Sequence, residues 1–316
     1  MPLVSIVIPV YNVERYVERC LLSIQQQTLT DIELIVVNDC TPDNAMGIVQ
    51  RMSQDDQRIR IINCEENVGP MIAREKGYMA ASGEYITFCD GDDYLPLTAM
   101  ENFYSAATES GADIVCGNHL YITTKGEELR CHNALRYGNS SENILKSLLR
   151  QEISQTLWGK LFRASLLQNH VYHTYKHATN GEDGCLLYQV VANINRLSLI
   201  NDTVYCYVQN TASSSQKRRS YAALESLCIT NAEIVRVVNG YPELRRDLAA
   251  NMSSTLISLI YRGYNQDGTL TRLFAKYELD TYCSLKTIIR SHGVREALKL
   301  LLKKYLFRKQ VAKILA

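Results

Sequence analysis

The sequence predicts an α/β protein: a mostly parallel sheet flanked by helices, followed by a helical C-terminal region. Three observations point there. Short apolar, β-branched runs recur through the first 118 residues. Segments with apolar positions at helical spacing separate those runs. From about residue 220 onward the helical spacing continues without intervening strands.

Taken in order, residues 3–10 (LVSIVIPV) read as a buried strand, and Val17, Leu21 and Ile24 place a helix over 14–27. Residues 32–38 (IELIVVN) give a second buried strand. A helix is predicted to start at Thr41-Pro42, with Thr41 as N-cap, Pro42 at the first helical position and Asp43 in the first turn. A third strand covers 58–64, and a helix over 70–81 is closed by Ser82-Gly83. Strand four spans 84–90, a helix 98–109 and strand five 112–118. Past residue 120 the pattern loosens, leaving a helix over 143–150 and a strand over 199–208. Helices are expected over 221–238, 243–262 and 284–316, after a soft boundary at 211–219 (TASSSQKRR).

The 316 residues are long for one simple domain, and their composition, 46% hydrophobic and 21% charged, is that of a globular protein. The net charge of +1 gives no footprint for nucleic acid as a partner. Charge is nevertheless uneven. Residues 286–316 hold nine Lys/Arg against Glu296 alone, +8 in the tail and −7 elsewhere. In this tail Val294, Leu298, Leu301 and Tyr305 share one helical face, with Lys299, Lys303, Lys304, Arg308 and Lys309 beside it. It is expected to lie on an anionic membrane surface. Ten scattered cysteines without a CxxC read as reduced, buried thiols of a cytoplasmic protein. No secretory signal or membrane-spanning run is evident.

In parallel sheets ligands bind outside the carboxyl ends of the strands. Those ends carry Pro9-Val10-Tyr11-Asn12, Asn38-Asp39-Cys40-Thr41, Glu66-Asn67-Val68-Gly69 and Asp90-Gly91-Asp92-Asp93. The last is a DxD-type acidic cluster where a ligand would lie. Asp and Gly also close strands as plain turns, so the cluster alone leaves the chemistry open. No GxGxxG follows the first strand and no GxxxxGK[ST] occurs, which argues against Rossmann oxidoreductases and P-loop NTPases. An aspartyl phosphatase would place its DxD on the first strand rather than the fourth. Arg74, after Gly69-Pro70, is positioned to reach a nucleotide or brace the acidic cluster.

Four stretches, VSIVIPVYNVERYVERCLLSIQQQT, IELIVVNDCTPDNA, ENVGPMIAREKGYMAASGEYITFCDGDD and NGEDGCLLYQ, fall in the order and spacing of the family-two inverting glycosyltransferases. The resemblance covers roughly residues 1–210. It implies a GT-A fold over 1–210, with a nucleotide-sugar-binding half at 1–118 and an acceptor half at 119–210, then a helical region at 211–316. It also implies a divalent metal, Mn²⁺ or Mg²⁺, on the donor diphosphate. In the family pattern Asp92 is the direct metal ligand and Asp90 a supporting carboxylate near the ribose or metal, while Asp93 turns away. Asp39 would read the base, with Pro9 and Tyr11 lining its pocket. Where the family more often has Asp-Asp-Gly-Ser, this chain has Asn38-Asp39-Cys40-Thr41. Asp183 is the implied catalytic base, with Glu182 second. Trp158-Gly159-Lys160-Leu161 resembles the family's acceptor-side segment, which more often has Asn in place of Gly159. The expected activity is transfer from a UDP-sugar to a glycan acceptor, lipid-linked, in surface polysaccharide synthesis. A GDP-sugar donor and a catalytically silent homologue that binds glycan or partner enzymes remain the alternatives. His170, His173 and His177 are expected to line an acceptor loop or face solvent.

Overall fold

The computed structural model describes residues 1–210, 220–262, 264 and 268–293. Strands β1 (Val4–Val10), β2 (Ile32–Asn38), β3 (Ile59–Asn63) and β4 (Tyr85–Phe88) alternate with helices α1 (Val17–Gln25), α2 (Ala45–Asp55) and α3 (Pro70–Met79). Helix α4 (Ala99–Ser110) leads into β5 (Ile114–Ile122), β6 (Glu128–Cys131), α5 (Ser141–Leu149), β7 (Lys160–Arg163), α6 (Ala164–Gln168), α7 (Glu182–Val191) and β8 (Leu197–Val208). Helices α8 (Tyr221–Val238), α9 (Arg245–Tyr261), α10 (Thr269–Lys276) and α11 (Leu285–His292) follow, with 3₁₀ turns at Pro242–Leu244 and Leu279–Tyr282.

One sheet contains all eight strands, in the order β3-β2-β1-β4-β7-β5-β6, with β8 also paired to β5. The β3-β2-β1-β4 part is parallel. β7 is antiparallel to both β4 and β5. The inner half of β5 pairs with β7 and its outer half with β6, while β8 runs parallel along its other edge. The early strands are continuous apolar runs because both faces are covered. Val7, Ile35 and Val37 pack under α3, α5 and α7. Ile6, Ile8, Leu34 and Val36 pack against α1, α2 and α4. Gly77 on α3 permits this close approach. A Cβ there would lie 2.3 Å from Val7 Cγ1 and 3.1 Å from Val37 Cγ2. Residues of α8, α9 and α10 join the same core as α5 and α7, so the described C-terminal helices are docked on that layer.

Helix α2 starts at Ala45, with no side-chain cap, rather than at Thr41-Pro42. The Thr41 hydroxyl is engaged elsewhere: it accepts from the Asn12 N–H (2.7 Å) and donates to Asp43 Oδ1 (2.6 Å). Asp43 in turn accepts from the N–H groups of Glu14 and Ala45. This segment therefore pins the loops after β1 and β2 together before the helix begins. Of the basic tail, residues 286–293 fall in or just beyond α11, while 294–316, with the expected amphipathic face, lie outside the described residues, as does 211–219. No described helix is long and apolar enough to cross a membrane. Eight of the cysteines are buried, and all ten are free.

Candidate active site

Two carboxylate stations form at the carboxyl ends of the parallel strands. The first is Asp39, just past β2 and only 3% exposed. Its Oδ1 accepts from the Val68 N–H (2.6 Å), and its Oδ2 accepts from the Gly69 N–H and Asn67 Nδ2 (3.0 Å each). Burial raises its pKa, and the Val68 and Gly69 N–H groups work against that rise. The turn it grips needs Gly69. Its φ is +87°, and a Cβ there would sit 2.9 Å from the His177 backbone. Asp39 thus fixes the turn from which α3 departs and seats the 170–180 loop on it. Tyr11 directly follows β1 and is 49% exposed, and Pro9 is half-buried within β1 opposite Val37.

The second station centres on Arg74, one turn into α3, whose side chain is 5% exposed. Its Nη2 donates to Asp90 Oδ1 at 2.7 Å. Its Nη1 lies 3.0 Å from Asp183 Oδ1 and 3.7 Å from Glu182 Oε1. Burial opposes the guanidinium charge, but Asp183, Asp90 and Glu182 outweigh it and hold the group protonated. Glu182 and Asp183 open the first turn of α7 after Gly181, whose positive φ starts the helix. Carboxylates are favoured there by the helix dipole. Burial and the neighbouring Asp183 raise Glu182 above the ordinary carboxylate range. Burial raises Asp183 as well, against the pull of Arg74. Asp183 Oδ2 accepts from the Leu157 N–H at 3.3 Å. Arg74 Nε and Nη1 and Asp183 Oδ1 are buried without a directional hydrogen bond to any described residue. Buried polar atoms without a directional hydrogen bond are rare in a folded interior, and here Arg74 Nη1 and Asp183 Oδ1 are held to each other by their 3.0 Å ion pair alone.

The Asp90–Asp93 turn divides its acids by role. Asp93 is buried and accepts from the Tyr205 hydroxyl and the Val208 N–H, 2.7 Å each. It is a fold acid that ties the turn to β8. Asp92 Oδ2 accepts from Asn210 Nδ2 at 2.6 Å, and Arg19 donates to the Asp92 carbonyl. Burial and Asp90 push the Asp92 carboxyl up to about 6, so a cation beside it would relieve an electrostatic strain. The donor set is hard carboxylate oxygen, which suits Mg²⁺ or Mn²⁺. Among the described residues no three His, Cys, Asp or Glu side chains gather into a full cage. One or two carboxylates completed by phosphate oxygens and water is the usual arrangement for a nucleotide-bound Mg²⁺. A Cβ at Gly91 would lie 3.0 Å from Val13 and 3.3 Å from the Pro9 carbonyl, so the turn is pressed against the end of β1.

The structure brings the sequence-predicted residues Arg74, Asp90, Glu182 and Asp183 to one place, with Asp92 in the same turn as Asp90. Asp39, Pro9 and Tyr11 sit at the neighbouring strand ends. Lys160, of the Trp158–Leu161 segment, is a buried charge that sequence reasoning assigns no role. It is 1% exposed, donates from Nζ to the Thr156 carbonyl at 2.6 Å, and burial lowers its pKa. A lysine inside the apolar run KLF was the available signal. Asn210 and Tyr205 were missed because β8 announces only alternating tyrosines. Of the three histidines, His173 Nδ1 lies 3.3 Å from Glu233, and the His177 N–H donates to the Val68 carbonyl.

The profile of Glycosyl transferase family 2 matches residues 5–171, more than half of the chain. The chain belongs to glycosyl transferase family 2. It is 32% identical over 221 residues to the uncharacterized glycosyltransferase EpsJ of Bacillus subtilis, covering 68% of this chain and 64% of EpsJ. It is 32% identical over 270 residues to the glycosyltransferase GlyA of Streptococcus pneumoniae, covering 81% of this chain and 38% of GlyA. The matches thus span less than two thirds of either relative. Among solved structures, residues 1–349 of Staphylococcus aureus TarS in complex with UDP-GlcNAc superpose with a TM-score of 0.73 at 17% identity, over 97% of this chain and 92% of that one. The mannosyltransferase PcManGT of Pyrobaculum calidifontis, in complex with GDP-Man and Mn²⁺, gives 0.56 at 16% identity, over 96% and 80%. At these identities the likeness carries the fold, and this family-2 chain has the GT-A fold with a helical C-terminal region.

Proposed function

We propose that the protein is an inverting glycosyltransferase that moves a sugar from a UDP-sugar to a glycan acceptor, lipid-linked, in surface polysaccharide synthesis. The observation that carries this reading is the Arg74 station. It joins Asp90 of the DxD-type turn to Glu182 and Asp183 of the acceptor half through one buried guanidinium. Donor-side and acceptor-side acids are thereby held together in the way a single displacement needs. The UDP-GlcNAc bound by TarS favours a uridine donor.

In this reading Asp92, supported by Asp90, would hold Mn²⁺ or Mg²⁺. That ion would neutralise the diphosphate as the sugar–phosphate bond breaks. Pro9, Tyr11 and Asp39 form the base end, with Tyr11 stacking. The three donors on Asp39 leave one acceptor position on Oδ1 for an N–H of the base. Asp183 takes the proton of the acceptor hydroxyl at its Oδ1, with Glu182 beside it as the second carboxylate. Arg74 orients that oxygen, and the Leu157 N–H holds its partner. The enzyme works on the cytoplasmic side, with the basic segment 286–316 drawing it to anionic lipid.

Melting curves with UDP, GDP and CDP, each with and without Mn²⁺, test the donor. UDP should stabilise most, and Mn²⁺ should add to it in the wild type but not in Asp92→Ala. Greater stabilisation by GDP would reassign the nucleotide. Asp183→Asn should keep UDP binding and lower turnover by about 10²–10⁴-fold. Full activity in that variant would move the base to Glu182 or elsewhere. Vesicle co-sedimentation at low and high salt tests the tail, since a chain ending near Ser284 should stay in the supernatant.

A further inference from the structure

We propose that Lys160 is a positioning residue for Asp183 and acts on its carboxylate through the Thr156–Leu157 peptide group, an inference that rests on the transferase reading above. Two hydrogen bonds meet on that peptide. Lys160 Nζ donates to the Thr156 carbonyl at 2.6 Å. The Leu157 N–H donates to Asp183 Oδ2 at 3.3 Å. This carbonyl and this N–H are the two ends of one planar peptide unit, with its dipole running between them. The ammonium sits at the negative end of the dipole and the carboxylate at the positive end. Hydrogen bonds chained in this way polarise one another, by roughly 10–30% per bond.

The surroundings of Lys160 leave it little else to do. It lies in β7 opposite Cys116 of β5, and at 1% exposure it is closed off from any acceptor in solvent. A lysine is almost never buried this far unless its charge is compensated. Burial lowers the Lys160 pKa, while Cys116 and Asp183 oppose that; burial raises Asp183, while Arg74, the Leu157 N–H and Lys160 oppose that. The bridging segment is fixed from several sides. Gln155 Nε2 donates to the Leu148 carbonyl of α5 and to the Tyr188 hydroxyl of α7, the Thr156 hydroxyl donates to the Trp158 carbonyl, and Thr87 of β4 donates to the Lys160 carbonyl. The two oxygens of Asp183 are thereby set apart. Oδ2 is tied to the peptide, and Oδ1 faces Arg74 at 3.0 Å without a directional hydrogen bond. Holding Oδ2 leaves Oδ1 turned toward the acceptor hydroxyl. The other charged groups that bear on Glu182 and Asp183 are Arg74 of α3 and Asp90 of the turn after β4, while Glu233 and Arg236 of α8 act on α7 at Cys185.

Carboxyl NMR reads this directly. The full chain is labelled at the side-chain carboxyl carbons of Asp and Glu and titrated with acid and base. The signals lost in Asp183→Asn and Glu182→Gln assign the pair. Lys160→Gln keeps a donor for the Thr156 carbonyl and removes the charge, Lys160→Met removes both, and Lys160→Arg keeps the charge. In Lys160→Gln and Lys160→Met the Asp183 midpoint should rise by about one pH unit, and by more than the Glu182 midpoint does, because a carboxylate that loses a nearby cation holds its proton more tightly. In Lys160→Arg it should stay within about a third of a unit of the wild type. Stabilisation by UDP is the fold control for each variant, and Lys160→Gln carries the test should Lys160→Met not fold. A merely structural lysine would leave the Asp183 midpoint where it is. An unmoved midpoint in Lys160→Gln, or equal rises at Asp183 and Glu182, in a protein that UDP stabilises, overturns this inference and leaves the transferase reading standing. A rise in Lys160→Arg as large as that in Lys160→Gln also overturns it, since the effect would then belong to packing rather than to charge. Absence of UDP stabilisation in the wild type overturns the transferase reading, and the positioning role with it.

Discussion

Asp39 and Arg74 are both charged and both almost wholly buried, yet their surroundings differ in kind. Asp39 is gripped by its own chain: two backbone N–H groups and one amide fill three of its four acceptor positions. Arg74 faces three carboxylates at unequal distances, with two of its nitrogens and one Asp183 oxygen left without directional bonds. The first arrangement fixes backbone. The second concentrates like charges around one cation and leaves bonding capacity open. Burying a charge is offset by good pairing only when its remaining valences are met. The Arg74 station is therefore the open one, and the Asp39 turn, with one acceptor position left, the nearly closed one.

The largest effect should come from breaking the open station. Arg74→Met leaves Asp90, Glu182 and Asp183 without their shared cation. Removing one partner of a buried ion pair typically costs about 3–5 kcal/mol. Urea unfolding should show a loss of this size, partly recovered when Glu182→Gln is added, because one uncompensated charge then disappears. A loss below about 1 kcal/mol would mean that the carboxylates are neutral without Arg74. Asp39→Ala should do less. It strands the Val68 and Gly69 N–H groups, worth about 1–3 kcal/mol. Its effect should appear as faster amide exchange at those two positions before global unfolding changes.

A pH experiment sharpens the same contrast. Glu182 is raised above its unfolded pKa by burial and by Asp183. The native state then holds the proton longer than the unfolded state, so stability falls as pH rises from the unfolded value through the folded one. Glu182→Gln should flatten that decline. The acidic limb of turnover should likewise lie above the ordinary carboxylate range, since the pair must lose its last proton for a base to form. An acidic limb at an ordinary carboxylate value would remove the pair from that role.

The open station was legible in sequence to an uneven degree. Asp90, Asp92 and Asp183 stand out because carboxylates at strand and helix ends break an apolar pattern. Their convergence on Arg74 depends on α3 and α7 lying on one face of the sheet, which only tertiary packing decides. β6 and β7 escaped notice because four-residue strands carry too few alternations to register. Helix α7 is nearly all buried, so it lacks the polar stripe that marks a surface helix. Thr41-Pro42 misled for a definite reason: a good capping residue was recruited by Asn12 and Asp43 instead.

The smallest expected effect belongs to an ordinary ion pair, which serves as the control for both stations. Asp56 accepts from Arg58 at 2.8 Å and from the Arg58 N–H and Gln25, and these hydrogen bonds, Arg58's side chain first, bring its pKa down to about 2. Here the folded value lies below the unfolded one. The stabilisation is therefore full above the unfolded carboxylate pKa of about 4 and is lost as pH falls through about 2. The carboxylate is largely shielded, with 13% of its side chain exposed, but Arg58 is 29% exposed, and solvent trims the gain to about 1 kcal/mol. Asp56→Asn should lower stability by that amount at pH 7 and by progressively less as pH falls toward about 2 and below, with turnover at neutral pH unaffected. The opposite pH slopes of Asp56→Asn and Glu182→Gln, measured in one set of unfolding curves, would separate a carboxylate that serves the fold from one held at a site. If both variants changed the slope in the same direction, the charge on Glu182 would be as well satisfied as that on Asp56, and the distinction between open and closed stations would fail.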